Sequence, residues 1–87
     1  MSQAIKITVK YFASIREAIG VSTEAITCDA STVAALRETL IAKGAPYAAA
    51  LAQGKSIRMA YNQVMCDESA GLESGCEVAF FPPVTGG

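Results

Sequence analysis

One stretch of this chain carries an apolar stripe long enough to cover a sheet. Val33, Leu36, Leu40 and Ile41 recur at helical spacing between N-cap candidates Asp29-Ala30-Ser31-Thr32 and the terminator Lys43-Gly44. Most of the remaining apolar sequence reads as short strands. Ile5, Ile7, Val9 and Tyr11 alternate with Lys6, Thr8 and Lys10, the period of two of a strand with one wet face. β-Branched residues mark a second strand over 21–28. A third is expected over 57–61, a short fourth over 64–66 and a last over 76–81. In that last strand Val78 and Phe80 fall on one face, Ala79 and Phe81 on the other. Between the first two strands, Phe12, Ile15 and Ile19 at i, i+3 and i+7 before Gly20 predict a short helix over 12–19. A further helical turn is expected over 45–51, a turn at Asn62-Gln63, and a turn-rich stretch over 67–75 anchored by Leu72. With one long helix and one sheet, this mixed α/β order is satisfied by a sheet wrapped across the helix, its other face partly open.

Eighty-seven residues make one domain with a compact core. Seven basic and eight acidic residues leave a net charge of −1, and the basic ones are scattered singly. A nucleic-acid partner needs a clustered cationic face, so none is expected. No apolar stretch approaches the length of a membrane span, and the first residues lack the charge and hydropathy order of a signal peptide. A cytoplasmic protein is expected.

The chain has no histidine, and its three cysteines, Cys28, Cys66 and Cys76, are widely spaced with no CxxC pair. A structural zinc site normally draws four ligands from Cys and His, so no metal site is expected. The cysteines read as small buried or half-buried hydrophobes. A redox or sulfur-relay role for one of them is the alternative. There is no phosphate loop, nucleophile elbow or metalloprotease helix. Arg16-Glu17 reads as a solvated helix face, and Asp67-Glu68 with Glu73 as exposed loop acids rather than a weak cation site. A self-contained enzyme is therefore not expected.

The chain's ending is different in kind. Pro82-Pro83-Val84-Thr85-Gly86-Gly87 follows directly on the last strand. Prolines cannot donate ladder hydrogen bonds and hold the backbone extended, so the body is expected to span 1–81 and an arm 82–87. Six extended residues reach roughly 20 Å. Two closing glycines occur by chance in about one chain in 200, and a frayed end is the plain reading. The chemical reading is acyl activation. A carboxylate becomes attackable once it is joined to AMP. Glycines let the end pass through a channel too narrow for a Cβ, and a terminal glycine leaves its carbonyl unshielded.

The ending EVAFFPPVTGG over 77–87, together with YFASIREAIG over 11–20 and AYNQ over 60–63, resembles the small subunits of molybdopterin synthase, a family of ubiquitin-like sulfur carriers. The resemblance implies an α+β, β-grasp fold. It implies that an E1-like adenylating enzyme spends ATP on the Gly87 carboxylate, that a sulfur donor protein makes it a thiocarboxylate, and that this chain binds no cofactor. It implies insertion of Pro82, Pro83, Val84, Thr85, Gly86 and Gly87 into the large synthase subunit of a heterotetramer. There sulfur passes to cyclic pyranopterin monophosphate, with the catalytic side chains in the large subunit. By matching position, Phe12, Met65 and Phe81 form the apolar docking patch; the alternative is that all three are core. The related thiazole-pathway carrier and a modifier joined to protein lysines also end in two glycines and remain open as readings. The chain departs from the family at Ser74-Gly75-Cys76, where an acidic turn is usual, and at Tyr61, where a small aliphatic residue is usual.

Overall fold

The computed structural model describes residues 4–52 and 57–83. In chain order the elements are β1 (Ile5–Tyr11), α1 (Ala13–Ile19), β2 (Thr23–Cys28), α2 (Val33–Ile41), α3 (Tyr47–Ala50), β3 (Arg58–Tyr61), β4 (Val64–Cys66) and β5 (Cys76–Phe81). The strands form one sheet in the order β2-β1-β5-β3-β4. β5 lies at its centre, parallel to β1 and antiparallel to β3, while β1–β2 and β3–β4 are antiparallel neighbours. This is the β-grasp arrangement, a mixed sheet closed over one main helix.

Alternation decides what is inside. Ile7, Val9 and Tyr11 of β1 stand level with Cys76, Val78 and Phe80 of β5, and all six are buried. Val33, Leu36 and Leu40 of α2 are fully buried in the same cluster. The helical stripe and two strand faces thus form one apolar layer, where burying a side chain the size of Leu or Val contributes about 1.5–3 kcal/mol.

The start of α2 is closed by the chain itself. Thr32 Oγ1 accepts from the Ala35 amide at 3.2 Å, and the carbonyls of Ala70 and Glu68 accept from the Val33 and Ala34 amides at 3.0 and 2.9 Å. These bonds dock the 67–72 loop on the helix, and Leu72 follows it half-buried against the core. The same docking brings Glu68 to Arg37, a charged residue on the buried stripe. Arg37 is 3% exposed. Its Nε donates to the Leu51 carbonyl at 2.8 Å, one terminal nitrogen to the Ala52 carbonyl at 2.6 Å, and the other to Glu68 at 3.2 Å.

A second polar knot lies on the core side of the sheet. Glu24 Oε2 of β2 accepts from the hydroxyls of Tyr11 and Tyr47, at 2.7 and 2.8 Å. Burial first, and then the bond to Glu24, pushes the Tyr11 hydroxyl far above the ordinary tyrosine range; the Glu24 bond likewise raises Tyr47. Lys43 stands 5.2 Å above the Tyr47 ring.

Three expectations need correction. The second strand begins at Thr23, not residue 21, and Val21 is exposed. The third begins at Arg58 rather than Ile57. The short helix begins at Ala13, and Phe12 is no part of its buried face.

Candidate docking face and the root of the tail

Phe12 leaves the helix because of the backbone around it. Phe12 itself is extended, at φ −129° and ψ 153°, and Ala13 adopts φ 52°. A left-handed alanine costs roughly 1–2 kcal/mol. It turns the chain sharply between β1 and α1. Tyr11 has just entered the core, so by alternation Phe12 stands on the sheet's other face, where it is 46% exposed. There its ring meets Phe81 edge-on, with centroids 6.3 Å apart and planes at 86°. Phe81 is half-buried at the end of β5.

Met65 shares this outer face. It pairs with Ala60 across β3–β4, and Ala60 pairs with Ala79 across β3–β5. The intervening partners, Met59 and Cys66, belong to the core layer. Met65 is 58% exposed and stands two strands from β5, roughly 10 Å away. Phe12 and Phe81 are thus in ring contact, while Met65 lies across a dip floored by Ala60 and Ala79, each only 7% exposed. The idea that all three large residues are core does not hold for Phe12 and Met65.

Residues that the sequence did not single out as docking positions complete the face. Lys10 and Glu77 form an ion pair at 3.4 Å beside the dip. Arg58 stands opposite Phe81 in the β3–β5 pairing and is exposed. The alternation that placed Ala79 and Phe81 outward would have placed Arg58 and Ala60 there too, had strand pairing been visible in the sequence.

Pro82 and Pro83 follow Phe81 and are half-buried. With Ser14, Ile15, Ala18, Ala50 and Ile57 they line a hollow of about 300 Å³ at the side of α1. The first two residues of the expected arm therefore lie against the body. Val84, Thr85, Gly86 and Gly87 lie outside the described residues.

The other residues weighed from sequence fall apart from this face. Arg16 and Glu17 are exposed on α1. Asp67 accepts from both the amide and the hydroxyl of Ser69, bonds that hold its carboxyl below the ordinary range. Among the described residues no three Cys, Asp or Glu side chains group to hold a metal ion. The three cysteines are free, Cys76 buried and the other two half-buried. Burial, with Asp67 beside it, pushes the Cys66 thiol up, away from the thiolate a sulfur relay needs. Ser74 and Gly75 do local work: Ser74 Oγ accepts from the Lys6 amide at 3.2 Å, and the Gly75 amide donates to the Lys6 carbonyl at 2.7 Å. Tyr61 packs half-buried against the core. No described helix is long and apolar enough to cross a membrane.

The chain is similar to known proteins along nearly its whole length. The ThiS family model matches residues 9–87. The molybdopterin synthase sulfur carrier subunit of Haemophilus influenzae is 43% identical over 81 residues, covering 93% of this chain and 99% of the relative. Among solved structures, SAMP1 from Haloferax volcanii superposes with a TM-score of 0.73 at 25% identity, covering 94% of this chain and 99% of that one. A complex of subunits 1 and 2 of molybdopterin-converting factor from Helicobacter pylori contains a chain that matches with a TM-score of 0.62 at 26% identity. That match covers 95% of this chain and all of its counterpart, 100%.

Proposed function

This chain belongs to the ThiS family, and on that footing we propose that it is the sulfur carrier subunit of a molybdopterin synthase. One observation carries the reading beyond family. The sheet's central strand ends at Phe81, beside exposed Phe12, and hands the chain straight to Pro82-Pro83 and the glycines beyond. In this reading the docking face and the root of the insertable tail form one continuous surface.

In this reading the reactive group is the Gly87 carboxylate. An E1-like enzyme directs one carboxylate oxygen onto the α-phosphorus of ATP, releasing pyrophosphate and leaving an acyl-adenylate. Sulfur from a donor protein attacks the carbonyl carbon, and AMP departs with that oxygen. With the sulfur delivered as a persulfide, the product is an acyl disulfide; a second thiol attacks the donor's own sulfur, forming a disulfide there and releasing the thiocarboxylate. Phe12, Phe81 and Met65 seat the large subunit. Residues 82–87 carry the sulfur to cyclic pyranopterin monophosphate, where two deliveries build the dithiolene and water restores the carboxylate. This chain supplies position and cargo; general acids and bases come from the large subunit, since a chain without histidine has little to offer near neutral pH. ATP is consumed by the activating enzyme. The cytoplasm, where such precursors and enzymes meet, is the site of action.

Reconstitution tests this. The chain, its activating enzyme, ATP and a sulfur donor are combined, then the large subunit and pterin precursor are added; dithiolene product is expected. Failure with an active large subunit, alongside lysine conjugates in extracts that vanish on deleting Gly87, would replace the reading with a protein modifier.

A further inference from the structure

The open face of the sheet differs in charge from the molecule as a whole. The chain's net charge is −1, yet the outward positions of the five strands hold three cations, Lys6, Lys10 and Arg58, and one anion, Glu77. Glu77 is engaged with Lys10. Glu24, the acid of β2, turns inward to the two tyrosines. Arg58 is exposed and has no ion pair among the described residues. It stands directly across from Phe81, the residue that leads into the tail. A subunit that receives the tail must close over Phe81, and in doing so it takes water from Arg58. A guanidinium deprived of water is costly unless it meets a counter-charge, and its planar fork suits a carboxylate.

We propose that Arg58 is a partner-specificity residue: the tail-receiving subunit presents an acidic side chain to its guanidinium, beside an apolar side chain that fills the Ala60–Ala79 dip. The proposal rests on the reading of this chain as a carrier that docks a larger subunit. A partner surface that is apolar throughout would fit Phe12, Phe81 and Met65 but would strand this cation. The residue therefore sorts acidic-rimmed partners from otherwise similar ones.

The test measures binding of the full chain to its large subunit by calorimetry at several salt concentrations. Wild type, Arg58→Glu, Arg58→Ala, Arg58→Lys and a distant control, Lys43→Glu, are compared. Arg58→Glu is expected to weaken binding about tenfold or more at low salt and to flatten the salt dependence. Arg58→Ala should fall between, Arg58→Lys should recover part of the loss, and Lys43→Glu should stay within about twofold of wild type. All variants are first shown to melt as wild type does. Binding of Arg58→Glu within about twofold of wild type, with an unchanged salt slope, overturns the proposal alone. An equal loss in Lys43→Glu also overturns it, because overall charge would then suffice. If wild type itself does not bind, the carrier reading falls and takes this proposal with it.

Discussion

Arg37 shows how much one side chain can hold. Its guanidinium reaches two carbonyls past the end of α3 and a carboxylate in the 67–72 loop, while its stem lies in the stripe of α2. Arg37→Met would keep the stem and leave the Leu51 and Ala52 carbonyls without this donor, at a cost of about 2–4 kcal/mol, read by chemical denaturation. An unchanged midpoint would show that water replaces the guanidinium. Its role was within reach of the sequence, since Arg37 lies four residues after Val33 on the apolar stripe. Its partners were not, because they come from segments 14 to 31 residues away. The tyrosine pair gives a second test. Tyr11 stays protonated in the fold well above the pH at which it ionises when unfolded. Its contribution is therefore complete below about pH 10 and is lost as the pH rises further, at about 1.4 kcal/mol per pH unit. Tyr11→Phe should flatten that alkaline limb in denaturation midpoints taken across it. An equally steep limb in the variant would assign the effect elsewhere.

At the scale of elements, two junctions carry positive φ in residues with side chains. Asn62 and Gln63, at φ 48° and 71°, form the two-residue turn between β3 and β4. Asn62 is suited to this, and its amide and side-chain oxygen both bond to Glu77 at 2.8 Å. Gln63 has no such compensation in its residue type. Gln63→Gly is expected to stabilise the fold by about 0.5–1 kcal/mol, because such turns favour glycine at the second position. Destabilisation on melting would mean the glutamine side chain holds the turn. The other junction, Phe12-Ala13, explains what the sequence hid. Spacing alone put Phe12 in line with Ile15 and Ile19, and only a left-handed residue between them separates the ring from the helix. Strand alternation survived into the structure because both faces of β5 are fixed by its central place. Strand ends at residues 21 and 57 did not, because the described pairings begin only at Thr23 and Arg58. If the carrier reading holds, Phe81→Ala should weaken large-subunit binding by about 1–3 kcal/mol while changing melting little. A collapse of the melting temperature would make Phe81 a core residue instead.

At the scale of the whole molecule, the carrier reading separates folding from chemistry along the chain. The described β-grasp body forms its cluster of buried core residues between Ile7 and Phe80, and the reading puts the reactive group beyond it, at Gly87. The resemblance in 77–87 made the function legible, whereas composition and spacing could only exclude alternatives. On that reading Gly86→Ala should impair sulfur transfer and leave the melting temperature unchanged, since the cluster of buried core residues runs from Ile7 to Phe80. A marked fall in melting temperature would show that the tail is packed. The most direct test of the carrier reading is the intact mass of the chain after incubation with its adenylating enzyme, ATP and a sulfur source. One oxygen exchanged for one sulfur at Gly87 is the expected result; an unchanged mass, with the enzyme shown to be active, would contradict it.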